Sequence, residues 1–429
     1  MRADLSFTIP KSKQKNSIQF RICSASLPSP VMEALEKPFT EAITAGQIEG
    51  AILEARSKTG KTYSKAFGNR TLQDGTQKPQ SSSDLLFLAS STKLLTAIAV
   101  LQCCEKGLLS LDEDLRSSYF GHHKVLTSYE DGGEPTYEEL KKPLTLRHLL
   151  THSSGLAYDF MSPLVQRWLA ANPVPDAKET SLSVPTRYHQ PLVFQPGESW
   201  VYGVGLDWAG HIVEQVSNTK LDAYIRSHIL KPLDIAETEL SFFPIKEGLG
   251  HRMVDLNPKD PLGEGLSVGN GLKVHIENDS TCYGGQGAYA TGETYVKILH
   301  SLLVDDGKLL SKESVAEMTS PQLEAPTKAA LDVVLNGPLG MIAGMGTTTA
   351  NRDYGLSGLL VMEEGDGSGM GKGALAWGGG INSAWNLDPE RGVCGFVAPQ
   401  LGLPADVMKA KQLKDAFRLG VKGALDDGA

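Results

Sequence analysis

Cysteine is sparse and scattered. Cys23, Cys103, Cys104, Cys282 and Cys394 make neither a metal-ligand spacing nor an even-numbered set for disulfides. That excludes a small disulfide-stapled fold and points to a reducing compartment, so the expected location is cytoplasmic. Long apolar runs are missing too, and none reaches the roughly 20 residues of a membrane-spanning helix. Positive charge is in deficit: 41 Lys and Arg against 50 Asp and Glu leave a net charge of −9. This argues against a general affinity for nucleic acid or an anionic membrane. His122-His123 is a loop pair without companion ligands and is expected at the surface, so no metal is expected, and no cofactor either. Residues 1–28 carry Lys11, Lys13, Lys15 and Arg21 but lack the apolar block of a secretory signal, and a flexible tail is expected there.

What is present is enough for a large core. Residues 30–46 have the pattern of an amphipathic helix. Ala51–Arg56 and Thr62–Phe67 alternate around Lys58-Thr59-Gly60-Lys61, a hairpin signal. Leu144–Thr151, Asp207–Ser217 and Thr294–Leu303 read as helices among polar loops. Strand patterns return at Gly358–Met362, Ala374–Trp377, Ser383–Leu387 and Val393–Ala398, and an amphipathic helix covers 405–425. The expected class is α+β: an antiparallel sheet assembled from both chain ends, flanked by helices, with a mostly helical lobe between. A single catalytic unit is expected over 29–425, its α/β part at about 29–105 and 340–425 and its helical lobe at about 106–339.

The most informative segment is Ser90-Ser91-Thr92-Lys93, which opens the apolar run Leu94–Leu101. Residues three apart share a helix face, so Ser90 and Lys93 can touch. Burial and the positive end of the helix dipole both oppose an ammonium there, which favours the free amine. An amine beside a serine hydroxyl is a base beside a nucleophile. The tetrad alone is weak evidence. Chance supplies about two Ser-x-x-Lys matches in such a chain, and a serine before an apolar run is more often an N-cap. Ser12–Lys15 lies in the tail, and Ser217–Lys220 looks like a helix end.

Two other motifs are decoys. Gly265-Leu266-Ser267-Val268-Gly269 matches a nucleophile elbow but lacks the strand before and the helix after. Gly365–Gly373 imitates a phosphate loop, yet Asp366 stands where a glycine belongs and Gly373 where a Ser or Thr belongs; a hairpin tip is expected.

Two further segments give the tetrad its context. Tyr202 follows the Pro196-Gly197 turn, just ahead of a helix. Trp377-Gly378-Gly379-Gly380 follows a strand, where glycines admit close backbone or ligand approach and leave N–H groups for an oxyanion. Ser-x-x-Lys, Tyr-Gly-x and a Gly-rich strand, in this order, resemble the serine β-lactamase and penicillin-binding-protein superfamily, in its class C and esterase branch. Leu144–Leu156 carries a further signature. Trp200–Gly203, Leu206–Gly210, Gly284–Gly287, Lys297–Leu303, Trp385 and Asp388-Pro389 resemble the fungal lovastatin-type polyketide acyltransferases.

That resemblance implies a β-lactamase/transpeptidase-like fold and assigns roles. Ser90 would be acylated, with its proton moved by Lys93 and Tyr202. The backbone N–H groups of Ser90 and Gly380 would form the oxyanion hole. Tyr158 and Arg187 match positions lining the acceptor pocket, while Trp377, Gly379 and Trp385 would border the substrate. The implied reaction moves an acyl group from a thioester, on a carrier protein domain or a CoA-like thiol, to a hydroxyl of a secondary-metabolite scaffold. The alternative is an esterase or lactamase with water as acceptor. Phe87 stands where these relatives carry arginine, and Trp377 where they carry phenylalanine, so acceptor identity does not transfer.

Overall fold

The structure is a computed structural model that describes residues 30–71, 77–130, 132–174, 181–254, 280–337, 340, 351–364, 368–380, 382–399, 401 and 407–427. The tail expected at 1–28, the Ser12 tetrad and the Gly265–Gly269 elbow lie outside the described residues.

In chain order the strands are β1 (Gly50–Ser57), β2 (Thr62–Thr71), β3 (Gln77–Pro79), β4 (Leu86–Phe87), β5 (Lys124–Ser128), β6 (Thr136–Glu139), β7 (Leu240–Ser241), β8 (Tyr289–Ala290), β9 (Arg352–Gly355), β10 (Gly358–Val361), β11 (Leu375–Gly378), β12 (Ala384–Asp388) and β13 (Val393–Ala398). Eight of them form one sheet in the order β3-β2-β1-β13-β12-β11-β10-β9. All seven pairings within it are antiparallel, and β1 meets β13 in register from Ile52↔Ala398 to Ser57↔Val393. The sheet therefore joins the two ends of the chain, as the sequence pattern requires. The antiparallel pair β10 and β11 brackets the hairpin tip expected at Gly365–Gly373, of which residues 365–367 lie outside the described residues.

The alternation of β1 decides what covers each face. Ala51, Leu53 and Ala55 share an apolar cluster with Leu35 and Phe39 of the helix Pro30–Thr44 and with Leu413, Phe417 and Val421 of the helix Val407–Asp426. Ile52 and Glu54 point the other way, beneath the helix Gly292–Val304. A Cβ on Gly292 would lie 2.8–2.9 Å from both side chains, so glycine sets that close approach.

The larger core surrounds the helix Thr92–Glu105, in which every residue from Thr92 to Cys103 is buried. A helix apolar on all sides has no solvent face and belongs inside. Burying each of Leu94, Leu95, Ile98 and Leu101 contributes roughly 1.5–3 kcal/mol. The mostly helical lobe also carries the pair β5-β6, and its strands β7 and β8 form a small sheet with β4. One expectation needs correction. His123 is buried rather than at the surface, its ring 5.1 Å from Phe120 and 5.7 Å from Trp208. No group of three or more metal-ligating side chains occurs among the described residues. Nor is any helix among them long and apolar enough to cross a membrane.

Candidate active site

The chain leaves β4 through Leu88 and Ala89 and turns at once into a short 3₁₀ segment, Ala89–Ser91, that feeds the buried helix. Ala89 has φ +46°, a left-handed conformation that costs a non-glycine residue about 1–2 kcal/mol. The surroundings hold it there. Leu88 N–H donates to the Ala288 carbonyl, and Gly379 presses so close that an added Cβ would lie 2.5 Å from Leu88 O. Backbone strain thus sits one residue before Ser90.

Ser90 does not cap the helix. The cap residue is Ser91, and its side chain makes no capping bond. Ser90 Oγ instead accepts from Lys93 Nζ at 3.2 Å and from Tyr202 Oη at 2.5 Å. Lys93 is wholly buried, and its other donors go to Tyr158 Oη at 3.2 Å and the Gly285 carbonyl at 2.8 Å. Its Nζ also lies 4.7 Å over the Tyr202 ring.

A closed circuit runs behind the lysine. Asp207, in the first turn of the helix Gly205–Ser217, accepts from Gly285 N–H at 2.9 Å and from Tyr158 Oη at 3.5 Å. Gly285 therefore accepts from Lys93 at its carbonyl and donates to Asp207 from its N–H. A Cβ on Gly285 would lie 2.4 Å from Asp207 Oδ2, so this link needs glycine. Burial pushes the Asp207 carboxyl up to about 6, against the opposing effects of Lys93 and the Gly285 N–H. Burial, then the Asp207 charge, pushes the Tyr158 phenol well above its ordinary value.

Tyr202 lies in a wall of rings. Trp377 Nε1 donates to Tyr202 Oη at 3.4 Å, with ring centroids 5.4 Å apart. Tyr354, Trp200 and His152 complete the wall. Gly203 locks the loop, since a Cβ there would lie 1.7 Å from Leu156 O.

The residues expected at the substrate divide. Trp377 touches Tyr202, and Gly379 abuts the Ser90 turn. Gly380 is the exposed turn residue two positions past β11. Tyr158, expected to line a pocket, bonds Lys93 directly and is 7% exposed. Trp385 pairs with Trp377 across the strands but is 1% exposed and packs toward Gly358 and Tyr295, one layer in. Arg187 lies over the rings of Tyr283 and Tyr188, at 5.2 and 5.8 Å. Asp207, Gly285 and His152 had no role in the sequence reading. Their signal was present, because each falls inside a segment that carried the resemblance.

A serine on the first turn of a buried helix, a lysine one turn on, a facing tyrosine and a strand that ends in glycines beside the serine define an active-site-serine fold of the penicillin-recognising type. The chain belongs to the Beta-lactamase family, whose profile matches residues 33–416. It is 41% identical over 390 residues to a lovastatin esterase of Penicillium rubens, covering 90% of this chain and 96% of that one. It is 34% identical over 395 residues to a monacolin J acid methylbutanoyltransferase of Aspergillus terreus, covering 89% and 93%. A simvastatin synthase structure from Aspergillus terreus superposes with a TM-score of 0.82 at 31% identity, over 94% of this chain and all of that one.

Proposed function

We propose that the protein is a serine acyltransferase that works by a two-stage exchange, with residues 29–425 as one catalytic unit. Ser90 Oγ attacks the carbonyl carbon of an acyl thioester, the C–S bond breaks, and the serine proton passes through the Tyr202–Lys93 pair to the departing sulfur. A hydroxyl of the acceptor then attacks the acyl-serine ester. Its proton returns through the same pair to Ser90 as the Ser90 C–O bond breaks. The backbone N–H groups of Ser90 and Gly380 bind the oxyanion in both stages, each contributing about 3 kcal/mol.

The observation that carries the reading is the convergence of Lys93 Nζ and Tyr202 Oη on one serine oxygen inside a wall of buried rings. Lys93 ties to Asp207 through Tyr158 and Gly285, which balances charge without placing a carboxylate on the nucleophile. The wall of buried rings on one side of the site disfavours water as acceptor. The acyltransferase relative supports a small-molecule hydroxyl on a polyketide-like scaffold as acceptor. A carrier protein domain or a CoA-like thiol suits the donor side, and the free cysteines Cys103, Cys104, Cys282 and Cys394 suit a cytoplasmic protein.

The second reading is an esterase with water as acceptor, favoured by the 41% identity to the Penicillium rubens esterase. One experiment separates them. Intact-protein mass spectrometry with a panel of acyl thioesters should show an adduct that Ser90→Ala abolishes. Candidate alcohols should then discharge it faster than buffer does. Discharge at the buffer rate for every alcohol leaves the esterase, and no adduct on Ser90 removes both readings.

A further inference from the structure

We propose that His152 is a positioning residue that clamps the peptide of Tyr202 and so holds its phenol against Ser90. The inference rests on the acyl-enzyme reading above and adds a residue that touches neither substrate nor Ser90.

His152 follows the short helix Leu146–Leu150 and has φ +60°, strained for a residue with a Cβ. It is 2% exposed. Its carbonyl accepts the Val201 N–H at 3.0 Å, and its Nδ1 accepts the Gly203 N–H at 3.3 Å. The residues on either side of Tyr202 are thus tied to one histidine. On the far side, Tyr158 N–H donates to the Tyr202 carbonyl at 3.2 Å. The imidazole stands edge-on to the Tyr202 ring, centroids 4.6 Å apart, with Trp200 at 5.7 Å and Tyr354 at 5.6 Å.

An accepting Nδ1 fixes the tautomer, because the single proton of a neutral imidazole must then sit on Nε2. Nε2 is buried without a hydrogen-bond partner among the described residues, on an imidazole packed against three rings. A buried donor left without a partner costs free energy that an apolar ring such as phenylalanine would avoid. What phenylalanine lacks is the acceptor for Gly203. Burial, and secondarily the charge of Lys93, holds the imidazole well below its usual range and keeps it neutral.

The test compares wild type with His152→Phe and His152→Asn, by rate of fluorophosphonate labelling and by turnover of a p-nitrophenyl ester. Loss of the clamp misplaces the phenol, so His152→Phe should lose about 100-fold in kcat and labelling rate, with KM within about twofold. Asn supplies an oxygen acceptor and should recover about tenfold of that loss. A Phe variant that labels at the native rate, or a folded Asn variant as slow as the Phe variant, overturns the clamp. Nitrogen-15 NMR of the unmutated protein needs no variant to fold. A neutral His152 with its proton on Nε2 is expected, and a proton on Nδ1 overturns the proposal. Should the wild type itself form no adduct at Ser90, the acyl-enzyme reading falls, and the tautomer alone decides the clamp.

Discussion

Replacing Asp207 with asparagine should make the protein more stable and less active, and the two effects have separate origins. Asp207 is fully buried, and burial raises its carboxyl from 3.8 to about 6. A folded-state value above the unfolded one means that the folded protein holds the proton more tightly. Stability from this group is therefore complete below about pH 4, falls as pH rises through about 6, and stays flat above. A shift of about two units at 1.36 kcal/mol each is about 3 kcal/mol. Asparagine keeps the shape and the acceptor for Gly285 N–H but never ionises. At about pH 8, Asp207→Asn should thus be about 3 kcal/mol more stable, a rise of roughly 3 to 4 °C in melting temperature for a chain of this length. At about pH 4 the two proteins should melt together. Labelling of Ser90 should slow by about tenfold or more, because the circuit through Tyr158 and Gly285 loses its negative charge. Thermal unfolding across this pH range, paired with labelling rates, reads both effects. A variant no more stable than wild type at about pH 8, or one labelling at the native rate, would refute the reasoning.

Tyr202→Phe keeps the ring against Trp377 and removes the oxygen 2.5 Å from Ser90, so acyl-enzyme formation should fall by about 10² to 10⁴ with little change in melting temperature. Glu54, pushed up to about 7 by burial and bonded to Ser64 Oγ, should make the wild type lose stability between about pH 4.5 and 7. Glu54→Gln should remove about 3 kcal/mol of that slope in urea titrations at the two ends and leave the part due to Asp207. Ala89→Gly relieves the left-handed strain before the nucleophile and should raise stability by about 0.5–1 kcal/mol in denaturant titration, net of the added freedom of the unfolded chain.

Long strands and helices were legible because their periodicity is a local consequence of burial. β1, β2 and β10–β13 fall within one residue of the expected spans, apart from the longer far end of β2, and the helices Gly292–Val304 and Val407–Asp426 fall within two. β9 was not legible, since its Arg352 and Asp353 are charged yet buried. β4, β7 and β8 have two residues each, too few for any period. Ser90, Lys93 and Tyr202 could be named from motif order, and the distances bring them together. The bond of Tyr158 to Lys93 depends on a contact between residues 65 apart, which no local pattern encodes. The burial of His123 beside Trp208 has the same cause.

The pairing of β1 with β13 also bears on how the molecule comes into being. A ribosome releases Ile52 long before Ala398, so the first hairpin must wait, one long edge unsatisfied, until more than 300 further residues have emerged. Distant pairings of this kind make folding slow and leave strand edges open to wrong partners in the interval. Yield in a foreign host should therefore depend more on chaperone supply and growth temperature than on the stability of the finished enzyme.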